Sequence, residues 1–375
     1  MNYTKIKLPH SIKTGILAVG AQSKSAFCFA KDNSAYLSYS GGGLSDPSNL
    51  KKFEGDIKKL QKKLKMKPVI IACDLHPEYT ATKYAYDRVK GEGQRIEKIQ
   101  HHEAHVASCI TDNNIKSEVI GVAFDGTGFG RDGKIWGGEF FICGAKGFKR
   151  AAHLKYIAMP GAEASIKEPW RMAFSYLYDI YGKDTTSKIL NRLDKEKMDM
   201  LGQAVDKKIN SPLTSSVGRL FDAISSITGI CDFAGYEGEA AIKLEKLIQG
   251  IEHKTGSGYS FKYKDENGII IIDWEPTIRG VVRDLKDGVK KPEISLKFHN
   301  AICDMIKDVC NILKKKYKIK KVCMSGGVFQ NKYLASSIKP VLEQEGFEAY
   351  LHKNIPTHDG GIALGQAILA GRGRF

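Results

Sequence analysis

The chain has 375 residues, 42% hydrophobic and 27% charged, which is enough for two domains that each bury a core. Its longest apolar stretches, such as Val69–Cys73 and Ile269–Ile272, fall far short of the roughly 20 residues that span a bilayer, so no membrane helix and no membrane partner are expected. Eight cysteines without a CxxC pair argue against a disulfide framework or a zinc ribbon, and a formal charge of +16 fits either an anionic partner or plain solubility from lysines crowded in 51–67 and 314–321.

Met1–His10 is polar and basic with no apolar core behind it, which predicts no secretion signal and a cytoplasmic protein. Gly15–Ala30 reads as strand, tight turn, strand. Lys51–Leu64 reads as a helix, Pro68–Asp74 as a buried strand ending in a charged tip, and His105–Asp112 as the continuation of a short helix. These complete a first α/β lobe over 12–117. Val119–Cys143 then repeats the hairpin pattern through the glycine-rich Asp125–Gly133. Two hairpins of this kind, each opening a lobe, are how actin-like (ribonuclease H-like) folds are built. The second lobe is expected over 118–371, with a mostly helical insertion at about 160–294.

Within that insertion Glu168–Tyr181, Ser187–Leu201, Val217–Ile227 and Glu239–Gln249 carry helical periodicity, whereas 255–294 reads as short strands and loops. A long amphipathic helix follows over Ile294–Lys315. Lys321–Asn331 is a strand running into a Gly-Gly loop and a helix start, and the end of the chain returns to α/β order. The ligand is expected in the cleft between the lobes.

His101 and His105 lie four apart, so a helix would put both imidazoles on one face about 6 Å apart, close enough for one metal ion. Surface or capping histidines would show the same spacing. The run His102–His105 is one residue too short for the zinc-protease motif HExxH. Asp125 ends a predicted strand and Asp359 lies in the loop before the last helix, places where α/β proteins mount functional groups. Two imidazoles with two carboxylates suit Fe(II), Zn(II) or Mn(II). Gly126, Thr127 and Gly128, and again Ser325, Gly326 and Gly327, are small residues at strand ends whose backbone N–H groups are able to approach phosphate oxygens. Neither loop is a Walker A or Rossmann fingerprint. Lys167 and Arg171 straddle Pro169 at a predicted helix start, placed either to clamp a phosphate or acyl carbonyl or to make ordinary salt bridges. Spacing reveals no Ser-His-Asp or Cys-His nucleophile, which favours direct transfer from an activated donor.

Taken in order, QHHEAHVAS, FDGTGFGRDGKIWGGEFF, KEPWRMAF, SSVGRLFDAISSITGI, YEGEAAIKLE, SGGVFQN and HDGGIALGQA resemble the C-terminal transferase module of the hydrogenase-maturation carbamoyltransferases, the HypF family. The likeness runs from about Gly15 to Gly371. It implies an actin-like fold, transferase activity, one divalent metal (iron or zinc) at His101, His105, Asp125 and Asp359, and an adenylate pocket lined by Gly126–Gly128 and Ser325–Asn331 with Asp222 and Glu239. It also implies carbamoyl-adenylate as donor and the C-terminal cysteine of a partner protein as acceptor. Antibiotic O-carbamoyltransferases and tRNA threonylcarbamoyl-adenosine transferases are more distant relatives, so a small-molecule acceptor is the first alternative and a tRNA the second, with RNA favoured only by the charge. The family's acylphosphatase-like, zinc-finger and adenylate-forming domains have no counterpart in these residues, so a separate adenylate-forming protein is the expected source of donor. The chain also ends Gly-Arg-Gly-Arg-Phe, so it is not expected to be its own acceptor. Ser40 and Gly43 stand where the family has a His and an Asp, and Gly161-Ala162-Glu163 replaces its Gly-Gly-Asp.

Overall fold

The computed structural model describes residues 2–90, 93–250 and 258–371. Its first lobe is a four-stranded sheet in the order β2-β1-β3-β4, made of β1 (Tyr3–Ala18), β2 (Ala26–Tyr39), β3 (Ile70–Asp74) and β4 (Arg95–Ile99). β1 and β2 form an antiparallel hairpin, and β3 and β4 join it in parallel. Alternation along the strands divides the side chains between two faces. Leu17, Phe27, Phe29, Ile71 and Cys73 pack with Phe53, Ile57 and Leu60 of α1 (Pro47–Leu64) and with Ala81 and Ala85 of α2 (Thr80–Val89). Ile16, Ala18, Cys28, Ala30, Ile70 and Ala72 point the other way, towards Ala104 of α3 (His101–Asp112) and the end of the chain. α1 shows why these residues form a helix: Asp46 caps it by accepting from Ser48 N–H, Pro47 fills its first turn, and Lys65 ends it in the left-handed region.

The second lobe opens with the antiparallel meander β5 (Val119–Phe129), β6 (Ile135–Gly144) and β7 (Gly147–Leu154). The short β8 (Ile157–Ala158), α4 (Ala164–Lys167), α5 (Trp170–Ile189), α6 (Lys195–Asp206), β9 (Leu213–Thr214), α7 (Val217–Ile227) and α8 (Glu239–Lys246) follow. The chain continues through β10 (Lys262–Glu266), β11 (Ile269–Asp273), α9 (Glu275–Lys286), α10 (Lys291–Tyr317), β12 (Lys321–Ser325), α11 (Lys332–Gln344), β13 (Glu348–Tyr350) and α12 (Ile362–Gly371). The sheet order is β10-β11-β7-β6-β5-β12-β13. β12 runs parallel to β5, and β13 parallel to β12. Each lobe is therefore an antiparallel hairpin extended by parallel strands, and the fold is actin-like. The largest core packs Val122, Phe124 and Phe140 against Phe174, Phe221, Phe298 and Ile302 of α5, α7 and α10. On the other face Val106 and Cys109 of α3 pack with Ala123, Phe141 and Cys323, so α3 is shared by both lobes.

Three expectations are corrected. The helix read over Ser187–Leu201 is two helices, separated by a turn at 190–194. The stretch 255–294, read as strands and loops, contains the helix α9, whose Thr277, Ile278, Val281 and Val282 are buried. The last helix, counted with the second lobe, packs in the first: Ile362, Ala363, Ala367 and Ile368 fill the face of β1–β3. Gln366 ties this return down, its amide accepting from Gly20 N–H at 2.9 Å and donating to Gly20 O at 3.0 Å. α12 crosses α3 so closely that a Cβ on Gly365 would lie 1.8 Å from Ala104 O. No helix among the described residues is long and apolar enough to cross a membrane. The terminal Arg372–Phe375 and the segment 251–257 lie outside the described residues.

Candidate metal centre between the lobes

α3 starts where Gln100 caps it, its Oε1 accepting from Glu103 N–H at 2.8 Å. The helical repeat then stacks His101 and His105 with ring centroids 5.1 Å apart. Asp125 arrives from the opposite lobe. The β5–β6 register shifts between Phe124 and Gly128, and this irregularity lifts Asp125–Thr127 out of the ladder, as bulges beside functional sites do. Asp359 comes from the tight turn that precedes α12.

One ligand atom from each of His101, His105, Asp125 and Asp359 lies within 4.8 Å of the others. His101 Nε2 is 3.3 Å from Asp125 Oδ2 and 3.6 Å from Asp359 Oδ1, and His105 Nε2 is 3.6 Å from both carboxylates. The donor set fits a divalent ion. Two neutral imidazoles and two carboxylates balance its charge, and His105 Nε2 is buried without a hydrogen-bond partner. Burial opposes charging of His101, yet Asp74 and then Asp125 and Asp359 hold its pKa well above the usual histidine value. His105 is raised in the same way against its burial. Burial also opposes the ionised Asp125 and Asp359, but the two imidazoles hold both below the normal carboxylate range.

Supports surround this group. Asp74 Oδ2 meets His101 Nδ1 at 2.7 Å, Gly327 N–H donates to Asp125 Oδ1 at 2.9 Å, and Ser23 Oγ donates to Asp359 Oδ2 at 2.7 Å. Gly128 lies flat beneath the rings, where a Cβ would be 2.4 Å from His102 and 2.8 Å from His101. His102 turns away from the group and is held neutral by burial and by the neighbouring His101 charge.

Asp125 and Asp359 of this group line a cleft of about 630 Å³, while His101 and His105 lie buried behind them. Among the residues expected to hold a nucleotide, Gly126, Asp222, Gly327 and Asn331 line it. Arg219 Nη1 pairs with Asp222 Oδ2 at 2.8 Å, both side chains only 4% exposed, and burial, opposed by Arg219, pushes the Asp222 carboxyl up to about 6. The other expected positions lie elsewhere. Thr127 and Gly128 continue β5 behind the cleft, and Ser325 is buried beneath it at 3.4 Å from His105 Nδ1. Gly326 serves the backbone: its φ is +107°, and a Cβ would meet Phe124 O at 2.1 Å. Glu239 accepts from Gly235 N–H and pairs with Lys243, while Glu237, two residues earlier, faces the cleft. The Asn331 side chain is already engaged, capping α11 at Leu334 N–H and donating to His299 Nε2 at 2.9 Å. Lys167 and Arg171 do not line the cleft. They pair with Glu163 and Glu168 at the start of α5, the ordinary salt bridges of the alternative reading.

Sequence reasoning missed Ser23, Lys24, Arg219 and Glu237 as cleft residues, and Asp74 as the partner of His101. The charged tip of β3 was the signal available for Asp74. Of the departures noted above, Ser40 is buried and donates to Asp56 Oδ2 at 3.1 Å, outside the cleft.

Residues 121–366 match the family model described as the carbamoyltransferase Kae1-like domain, second subdomain, and residues 11–112 match the HypF Kae1-like domain. The chain is 32% identical to carbamoyltransferase HypF of Synechocystis sp., an alignment that covers 97% of this chain and 48% of that protein. It is 28% identical to a carbamoyltransferase HypF homolog of Cupriavidus necator, over 95% of this chain and 91% of that one. The crystal structure of full-length HypF in a phosphate- and nucleotide-bound form superimposes with a TM-score of 0.91 at 36% identity, covering 98% of this chain and 47% of the other. The chain thus spans about half the length of most of the relatives it matches.

Proposed function

The chain belongs to the HypF-type Kae1-like carbamoyltransferase family, and on that premise we propose that it transfers a carbamoyl group from carbamoyl-adenylate to the C-terminal cysteine thiol of a partner protein in NiFe-hydrogenase maturation. The observation that carries this reading is the convergence of His101, His105, Asp125 and Asp359, whose two carboxylates line a cleft that also holds Arg219 and two close-approach glycine loops. A divalent ion held by those four side chains would supply Lewis-acid stabilisation of negatively charged oxygen.

The remaining steps belong to residues of the chain. Gly126 and Gly327 carry no side chain into the cleft, which lets an adenylate come close to the backbone. Arg219, buried under Gly126 with Nη2 3.3 Å from where a Cβ would be, offers fixed positive charge to the anionic donor. Glu237 faces the same space, its pKa raised by partial desolvation and by the nearby Asp359 and Asp125, so it is placed to take the proton of the attacking thiol as AMP leaves. Carbamoyl-adenylate is the donor, and the reaction takes place in the cytoplasm.

The test supplies the 375-residue chain with carbamoyl-adenylate and either a peptide ending in cysteine or a panel of hydroxylated metabolites, and follows the added mass. A thiocarbamate on the peptide is the expected product. A modified metabolite with an untouched peptide would replace the protein acceptor with a small molecule.

A further inference from the structure

We propose that Asp112, His352 and Ser325 form a buried relay that fixes the ring tautomer of His105, so that Nε2 presents a free lone pair to the centre. Ser325 and His352 are then positioning residues. The proposal rests on the reading of His105 as a metal ligand and goes beyond it to what orients that ligand.

Ser325 Oγ lies 3.4 Å from His105 Nδ1 and 2.8 Å from His352 Nε2. The side chains of His352 and Asp112 are 4% and 2% exposed, and His352 Nδ1, which has no hydrogen-bond partner among the described residues, faces Asp112 Oδ2 at 3.6 Å. Asp112 sits at the C-terminal end of α3. Its Oδ2 accepts backbone N–H groups from Lys353 at 2.6 Å, Asn354 at 3.0 Å and Ile355 at 3.2 Å, which keeps it an ionised acceptor.

The direction of the chain follows from that end. Facing a carboxylate, His352 carries its proton on Nδ1, which leaves Nε2 as an acceptor. Ser325 donates its hydroxyl proton to that Nε2, the shorter of its contacts; the Thr357 carbonyl at 3.4 Å is the weaker competitor. The Oγ lone pairs then face His105 Nδ1, which must be the protonated nitrogen, and Nε2 is left bare towards Asp125 and Asp359. The opposite polarity, with Ser325 donating to His105 Nδ1, would put the proton on Nε2 and remove the ligand. His101 reaches the same state directly through Asp74. Both histidines are thus oriented by a carboxylate, one in contact and one through two intermediaries.

The test titrates the full chain with Co(II) alone and follows visible absorption, with thermal unfolding of the metal-free proteins as the control for folding. Ser325→Ala and His352→Leu are each expected to lose 10- to 100-fold in Co(II) affinity. His352→Gln keeps an acceptor for the Ser325 hydroxyl and is expected to stay within a few-fold of the native chain. His105→Ala should lose binding outright. Native affinity and spectrum in both Ser325→Ala and His352→Leu, with binding lost in His105→Ala, would overturn the relay, as would a His352→Gln variant as weak as His352→Leu. Undiminished binding in His105→Ala would instead overturn the ligand assignment itself. Should His352→Leu fail to fold, Ser325→Ala decides alone.

Discussion

Asp74 Oδ2 lies 2.7 Å from His101 Nδ1 with both side chains fully buried, at the point where β3 ends and α3 begins. A carboxylate so placed holds the ring in one orientation and makes the opposite nitrogen a better donor. Asp74→Asn keeps the volume and removes the charge. It is expected to lower metal affinity by roughly 10- to 100-fold, measured by competition with a chelating dye. Native affinity would mean that the packing of α3 alone orients His101.

Replacing His101 and His105 together by Ala should remove metal binding and transfer activity while leaving the secondary structure unchanged. Because an ion that binds only the folded state stabilises it by mass action, Zn(II) should raise the unfolding temperature of the native chain and leave that of the double variant where it was. A metal-dependent rise of equal size in both proteins would place the ion elsewhere.

His299 sets a limit on acid stability. Its Nδ1 faces Ser295 O at 2.8 Å, its Nε2 faces the Asn331 amide at 2.9 Å, and burial pushes its pKa down to about 4. The unfolded chain binds this proton below about pH 6.5 whereas the folded chain does not. Stability is therefore fully present above about 6.5 and falls as pH drops towards 4, by roughly 3 kcal/mol across that window. Urea unfolding of the native chain and of His299→Gln at a series of pH values tests this. The variant should lose that part of the acid sensitivity, and parallel pH profiles would refute the assignment.

Gly365 is where α12 crosses α3, and a Cβ there meets the Ala104 carbonyl. Gly365→Val should prise the two helices apart at a cost of about 3 kcal/mol. Thermal unfolding measures it, and a native unfolding temperature would show that the crossing relaxes without penalty.

The four side chains that converge at the candidate metal centre were legible because each carries a local mark: the i, i+4 spacing of His101 and His105, the end of the apolar run Val119–Phe124 at Asp125, and the loop before an apolar helix at Asp359. Their supports were harder to find. The tip of β3 could be read, but its pairing with His101 depends on how two strands and a helix align in space. Asp112 and His352 are 240 residues apart in sequence, and no local pattern joins them. Glu239 was chosen over Glu237 because both lie at the start of one helix, and Gly238, at φ +79°, turns the chain between them so that one faces the cleft and the other Lys243. The helix α9 was missed because it follows the β-rich run Ile269–Asp273 directly, with a proline in its first turn.

The return of α12 to the first lobe has a consequence for synthesis. The sheet of β1–β4 is translated before the second lobe, but the helix that covers one of its faces and the Gln366 amide that binds Gly20 are translated after it. Contacts across such a separation close slowly, so during translation that apolar face stands open while the second lobe, complete in its strands by Tyr350, is able to form. Emerging chains should therefore need protection from aggregation until α12 has followed the second lobe. Asp359 stands immediately ahead of the same helix, so a metal site that uses it is assembled only after the strands of both lobes have been translated.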